Sequence, residues 1–448
     1  MEMQLNNTEI FLVPAGYELG LKDSRDVYIL YSPLTDGLAL VSKSDAERIG
    51  RYIDDPASSE DSEITELIGE MTPERMPSVS DLTPLEKFTK LSIIPNLTCN
   101  FACSYCYSAK GRSKVTLDWD KAKAVLDHFI DEERIAPQPL SIFVSGGGEP
   151  LLSWNLLKRI LEYARERASE KGFPLYISVV TNGSLLTEDI ATALKALDCS
   201  ICISYEVLED LQNDQRKHYS EVRANIEMLR RTGVRTMLNS TITPLSVSRM
   251  TEMMEEIASV YPFVSQYTME PVTGHQMFSL PEDMEAFYDR FYVEYLKCRE
   301  IADLKGINLR FTFDDSLRGI TLRHCPGKFT LTPQGTISAC HLTSSPMESR
   351  YERCVYGKVT ESGEIELDKE KFQTLRNINV FSYVRCSDCF AKWSCGGECM
   401  ARNDSYPDEY MEVVCRFNRR FVKHLLIESI RQTVLEETGL TLEEYVKE

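Results

Sequence analysis

Cys99, Cys103 and Cys106 lie in the stretch Asn-Leu-Thr-Cys-Asn-Phe-Ala-Cys-Ser-Tyr-Cys-Tyr at residues 96–107, a C-x3-C-x2-C spacing that puts three thiols on one short loop. A closed structural zinc or iron–sulfur site takes four protein ligands, so three leave one metal position open for another molecule. Taken alone, the loop also fits a zinc knuckle with a distant fourth ligand, or three reduced core thiols. A second set lies far along the chain. Cys325 is followed by nine residues, Gly335, four residues and Cys340, and then come Cys386-x2-Cys389-x5-Cys395-x3-Cys399 and, after fifteen residues, Cys415. Of the fourteen cysteines, three fall at 99–106 and eight between 325 and 415. Such clustering, without a secretion signal, points to metal ligation in a reducing compartment and not to disulfides. Cys199, Cys202 and Cys298 stand apart and read as core packing.

These thiols need elements to hold them. The apolar run at 91–94 reads as a strand, which puts the first loop at a strand end, the usual ligand position in an α/β protein. Further strands are expected at 140–144, 175–180, 200–204, 235–242 and 264–269. Amphipathic helices are expected between them, at 118–130 with Ala122, Val125, Leu126 and Phe129 on one face, at 154–168 and at 220–231. Six βα units predict a parallel sheet curved into a partial barrel, with chemistry at the strand C-terminal ends. Ser145-Gly-Gly-Gly-Glu-Pro150 follows the second strand, and glycines there let a backbone approach a ligand closely. Thr181-Asn-Gly183 ends the third strand and is also readable as a plain tight turn.

Before the barrel, residues 1–85 read as a small module: strands at 10–13, 27–31 and 38–41, a helix opened by a Ser44–Glu47 capping box, an acidic loop at 54–61, and a helix with Ile64, Leu67, Ile68 and Met71 on one face. From about residue 310 the βα rhythm stops. A hairpin around Thr332–Gly335 brings Cys340 back toward Cys325, and a long helix spans about 413–437 with the stripe Phe417, Phe421 and Leu425, stopped by Gly439.

The first cysteine motif, with Tyr105 before its last cysteine, resembles that of the radical S-adenosylmethionine (SAM) superfamily. The tail resembles the SPASM domain, a seven-cysteine extension of some members. The resemblance implies an α/β chain with a partial (β/α)6 TIM-like barrel at 86–309, a SPASM domain at 310–448 and a winged-helix-like peptide-recognition module at 1–85. It implies that Cys99, Cys103 and Cys106 bind three irons of a [4Fe–4S] cluster whose fourth iron SAM chelates. Gly147, Gly148, Glu149 and Pro150 would contact the SAM amino group. Ser204 and Glu206, where relatives carry Ser-x-Asp, would reach its ribose or carboxylate, with Glu a departure from the pattern. Arg216 would pair with the SAM carboxylate, and Asn239 and Ser240 are weaker candidates. The family pairing gives Cys325, Cys340 and Cys399 to one auxiliary cluster, with Cys354 the remaining candidate for its fourth ligand. It gives Cys386, Cys389, Cys395 and Cys415 to the other. Zinc is the alternative occupant of the tail, and His341 and Trp393 read as packing or supporting residues near the thiols.

The implied reaction is reductive SAM cleavage to a 5′-deoxyadenosyl radical, hydrogen abstraction, and oxidative formation of a C–C or thioether cross-link in a ribosomal precursor peptide bearing a leader. Flavodoxin or ferredoxin would be the electron donor. Formylglycine formation by an anaerobic sulfatase-maturing type of enzyme is the alternative, and a non-enzymatic iron–sulfur electron-transfer protein is the alternative of another class. The 448 residues carry 50 Lys+Arg against 69 Asp+Glu, a net charge of −19, which argues against general nucleic-acid binding. No signal peptide or membrane span is expected, so the expected location is cytoplasmic. The catalytic base is not legible.

Overall fold

The structure is a computed structural model, which describes residues 3–4, 9–23, 25–54, 61–314, 319–325 and 327–446. Most of the acidic loop expected at 54–61 lies outside these residues.

The N-terminal strands β1 (Met3–Gln4), β2 (Phe11–Pro14), β3 (Val27–Ser32) and β4 (Gly37–Ser42) form an antiparallel sheet in that order. Helices α1 (Lys43–Asp54) and α2 (Ser62–Met71) follow. Strand alternation gives the sheet two apolar faces. Leu12, Leu30 and Val41 pack on Ile49, Ile64 and Ile68 of the two helices. Phe11, Val13, Ile29 and Tyr31 pack instead on Phe390, Val422, Leu426 and Ile430 from the cysteine-rich region. The module therefore shares its core with the tail. The helix start differs from the expected Ser44–Glu47 box: Ser42 Oγ accepts from Asp45 N at 3.2 Å and donates to Asp45 Oδ2 at 2.7 Å, so α1 begins two residues earlier, at Lys43. Both serines have the right chemistry, and the end of β4 selects the first.

The barrel strands are β5 (Lys90–Ile93), β6 (Leu140–Val144), β7 (Leu175–Thr181), β8 (Cys199–Ser204), β9 (Thr236–Ile242) and β10 (Gln266–Pro271), all parallel and paired in sequence order. The helices between them are α3 (Trp119–Phe129), α4 (Trp154–Glu170), α5 (Glu188–Ala196), α6 (Glu209–Gln215), α7 (Tyr219–Thr232) and α8 (Met250–Val260), with α9 (Pro281–Lys305) after the last strand. Helix α3 buries Ala122, Val125, Leu126 and Phe129, as its period predicts, and Asp118 caps it by accepting from Asp120 N and Lys121 N. Cys199 and Cys298 are buried and Cys202 is half-buried.

The sheet does not stop where the βα rhythm does. Strand β11 (Leu309–Arg310) pairs parallel with β10. On the other edge β12 (Phe329–Leu331) pairs parallel with β5, and the antiparallel strands β13 (Thr336–Ser338), β14 (Val355–Val359) and β15 (Ile365–Leu367) continue from it. Between β12 and β13, Gly335 sits at φ 85° with its N–H on the Thr332 carbonyl at 2.9 Å, so the expected hairpin forms. Short helices α10 (Tyr351–Cys354), α11 (Lys369–Arg376), α12 (Lys392–Cys395) and α13 (Met400–Asn403) lead to α14 (Asp408–Thr438) and α15 (Leu442–Tyr445). Helix α14 is longer than the expected 413–437. Phe417 and Phe421 are buried on it with Leu425 half-buried against the same core, and Leu426 faces the N-terminal sheet instead. No helix of the described residues is long and apolar enough to cross a membrane.

Candidate functional site

The loop after β5 is built as an irregular hairpin. Leu97 N donates to Val115 O at 3.0 Å, Ser113 N to Leu97 O at 3.3 Å, and Thr98 N to its neighbour Asn96 Oδ1 at 3.0 Å. The thiols of Cys99, Cys103 and Cys106 are half-buried on it. Phe101 N donates to Cys99 Sγ at 3.4 Å, and the Arg112 guanidinium donates to Cys106 Sγ at 3.3 Å and to the Phe101 carbonyl. Burial pushes the Cys99 and Cys103 thiols up, while the Phe101 amide and Arg112 pull Cys99 down and Arg216 pulls Cys103 down.

The glycine loop after β6 docks on this cysteine loop. Gly148 N donates to Asn96 O at 2.9 Å, Glu149 N to Thr98 O at 2.8 Å, and Asn96 Nδ2 returns a bond to Glu149 O at 2.9 Å. A Cβ on Gly148 would lie 2.0 Å from Thr98 O, and one on Gly147 2.5 Å from Ile94 Cγ2. These glycines are thus required by the close approach of one protein loop to another. The Glu149 carboxylate is buried and committed: it accepts from Leu151 N at 3.1 Å, Thr181 Oγ1 at 2.6 Å and Asn182 N at 2.7 Å. Its side chain braces the ends of β6 and β7, and the expected Thr181–Gly183 turn is the partner it braces. Asn182 Nδ2 in turn reaches Asn100 Oδ1 at 2.9 Å, so three loops are tied together around the thiols.

Beside them lies a buried polar cluster. Tyr105 donates to Glu206 Oε1 and accepts from Arg216 Nη1 at 2.7 Å, with Arg216 and Glu206 3.8 Å apart. Ser104 N donates to Gln215 O at 3.0 Å and anchors the cysteine loop to this segment. Glu206 Oε2, Arg216 Nε and Gln215 Nε2 are buried without a partner. Burial raises the Glu206 carboxyl to about 7 against the pull of Arg216 and the Tyr105 hydroxyl. Unsatisfied donors and acceptors of both signs beside three thiols suit a polar, zwitterionic ligand. Arg216 and Glu206 are therefore brought to the site together. Ser204 shares a sheet face with Asn239, its registered partner, and with Thr268 beyond it. Ser240 points the other way, bonded to Tyr205 O and Tyr267 OH.

Glu270 is a residue the sequence reading missed. Along β10, half-buried Gln266, Thr268 and Glu270 alternate with buried Tyr267, Met269 and Pro271, a period-2 signal visible in the sequence. Glu270 accepts from Thr312 Oγ1 at 2.7 Å, and burial raises its carboxyl to about 7 against that bond and the Arg402 charge.

In the tail, burial and then the charges of Cys354, Cys325 and Cys399 push the Cys340 thiol up to about 12, so each of the three lies within electrostatic reach of Cys340. Cys386, Cys389, Cys395 and Cys415 line one cavity with Arg385, Lys392, Glu398, Asn418 and Arg419. Among the described residues no three His, Cys, Asp or Glu side chains converge on a single ion. His341 is bonded to Lys328 Nζ at 2.6 Å, and burial lowers it to about 3, so it is neutral.

Residues 93–257 match the family described as the Radical SAM superfamily. An uncharacterized protein of Methanocaldococcus jannaschii is 32% identical over 111 residues, 25% of this chain and 36% of its own. The radical SAM cyclopropyl synthase TigE of Paramaledivibacter caminithermalis is 29% identical over 135 residues, 27% of this chain and 28% of its own. The chain thus spans only about a third of these curated relatives. Among solved structures, native anSMEcpe with bound AdoMet superimposes with a TM-score of 0.57 at 17% identity, covering 76% of this chain and 98% of that one. Streptococcus suis SuiB bound to precursor peptide SuiA superimposes with a TM-score of 0.50 at 12% identity, covering 86% and 97%. At these identities the likeness shows the fold alone, an α/β fold with a large, mostly parallel sheet.

Proposed function

We propose, from the radical SAM domain at residues 93–257, that this chain is a maturase that oxidatively installs a C–C or thioether cross-link in a ribosomal precursor peptide. The observation that carries the reading is the placing of Cys99, Cys103 and Cys106 on one loop beside buried, unpartnered atoms of Glu206 and Arg216 at the strand ends. These residues fit a [4Fe–4S] cluster and SAM: three thiols with a position left over, a guanidinium for a carboxylate, and a carboxyl for a hydroxyl or amine. When bound, that pair supplies a 5′-deoxyadenosyl radical able to take a hydrogen atom from an unactivated C–H bond.

The chain's own work is to hold, orient and exclude. The Glu149 brace and the Gly148 contact fix the cysteine loop against the strand ends. Arg216 and Tyr105 orient the polar ligand. Glu270, partly exposed and with a carboxyl raised to about 7, is placed to accept the proton that an oxidative coupling releases. Cys325, Cys340, Cys354 and Cys399, and separately Cys386, Cys389, Cys395 and Cys415, would hold two auxiliary [4Fe–4S] clusters able to take the departing electron. The N-terminal module would receive the leader by strand addition at a sheet edge. SuiB, which shares the fold, was solved with its precursor peptide SuiA bound, and a peptide partner of the same kind is what this reading gives the present chain. Formylglycine formation remains the second reading, since anSMEcpe was solved with the Cp18Cys peptide.

The test is an iron and sulfide count on anaerobic protein together with reductant-dependent SAM cleavage, followed by co-expression with short precursor peptides. Three clusters give about twelve irons per chain. A peptide lighter by two hydrogens supports the cross-link. A cysteine or serine converted to formylglycine selects the second reading, and iron without SAM cleavage under any reductant removes both.

A further inference from the structure

The four-cysteine cavity has a cation in its wall whose counter-ion comes from the other end of the chain. Lys392, three residues from both Cys389 and Cys395, lines the cavity and is 8% exposed at its side chain. Its Nζ donates to Glu9 Oε1 at 2.7 Å and to Ser387 O at 2.8 Å. Trp393 Nε1 donates to Glu9 Oε2 at 2.8 Å, and the Glu9 side chain is also 8% exposed. Glu9 stands at φ 58°, just before β2, and Lys392 also lies over the Phe11 ring of that strand at 5.9 Å. A non-glycine residue in the left-handed region, a buried ion pair and an indole bond in one place mark a built contact, not a chance surface pairing. The other charged groups on the cavity wall are Arg385, Arg419 and Glu398; Glu398 is itself bonded to Arg402 at 3.2 Å and to Asn418 at 2.7 Å.

The reduction potential of an iron–sulfur group depends on net charge and hydrogen bonding around it, and a charge in a water-poor wall acts more strongly and over a longer range than one in solvent. We infer that Lys392 and Glu9 are positioning residues for the group held by Cys386, Cys389, Cys395 and Cys415: the ammonium makes it easier to reduce, and the N-terminal module, through Glu9, limits that effect. The inference rests on the reading that this cavity holds an auxiliary cluster. It links the module proposed to receive the peptide to an electron-accepting site without passing through the barrel.

The test is a mediated redox titration followed by EPR on anaerobic full-length protein. Lys392→Met removes the ammonium and keeps the Glu9 carboxylate, and should make one auxiliary signal at least tenfold harder to reduce, about 59 mV for one electron. Glu9→Gln should move the same signal in the opposite direction. The double variant, neutral again, should return to within about threefold of the wild type, and it serves where Glu9→Gln alone does not fold. Trp393→Phe keeps both charges and should leave the potential in place; a shift there as large as that of Lys392→Met would mean packing, not charge, and overturns the inference. About twelve irons with all potentials unmoved in Lys392→Met and the double variant overturns it too, and leaves the cluster reading standing. An iron content that Cys415→Ala does not lower overturns the cluster reading and the inference with it.

Discussion

At the barrel mouth, Cys99, Cys103 and Cys106 hang on an irregular loop that three strand ends hold from below, with orphaned polar atoms of Glu206, Arg216 and Gln215 beside them. In the tail, Cys386, Cys389, Cys395 and Cys415 line a cavity walled by short helical pieces and α14; Glu398 is bonded there to Arg402 and Asn418, and Lys392 to Glu9, while Arg385 Nε and Asn418 Oδ1 are buried without a partner. The first arrangement leaves valence and hydrogen bonds for a ligand that comes and goes. The second draws its wall from both ends of the chain, through Lys392 and Glu9, so the two regions differ less in their thiols than in what surrounds them.

Four measurements press on that contrast. Replacing Cys99, Cys103 and Cys106 together by Ala should abolish 5′-deoxyadenosine formation and remove about four of about twelve irons; product analysis and an iron assay check both, and surviving SAM cleavage would break the assignment of the turnover site. Cys415→Ala should reduce peptide turnover by more than about tenfold while leaving SAM binding intact, measured by mass spectrometry and calorimetry. Equal loss of both would mean that the two regions are not separable. Gly148→Ala, whose Cβ meets Thr98 O, should cost about 1–3 kcal/mol of stability and loosen the cysteine loop; a urea midpoint and cluster occupancy check it. The smallest effect is one of pH. Glu206 has a carboxyl raised by burial to about 7 from 4.5, so between those values the unfolded chain releases a proton that the folded chain keeps. Stability then falls as pH rises from 4.5 to about 7 and levels off above it. Glu206→Gln should flatten this slope, read from unfolding midpoints across that window, and an unchanged slope would show that Glu206 is ionised in the folded state.

The barrel was legible because its signals are local. Period-2 and period-3.6 patterns placed β6 at its observed bounds, and α3 within a residue at each end. The cysteine spacings were legible because ligand chemistry constrains residue type as well as distance. What stayed hidden depends on pairings between distant segments. The Glu149 side chain bonds Thr181 and Asn182, more than thirty positions along the chain, and its own motif does not announce them. Residues 1–85 read as a separate module because nothing in Glu9 announces Lys392, 383 positions away. The alternation that exposes Glu270 was present, but only the fold shows which face of β10 meets the opening.

The parallel pairing of β12 with β5 fixes how far apart the strands that precede Cys99 and Cys340 lie. Cys99 follows β5, and Cys340 follows β13, two steps along the same ladder, so their supporting strands are offset by roughly 10 Å. That spacing is fixed by backbone hydrogen bonds, with Ile94 N on Leu331 O at 3.0 Å continuing them past the strand end. The offset between these strands is therefore set by the ladder and not by the length of the connection from β11 to β12, as the gap between two bolted posts does not depend on the cable hung between them.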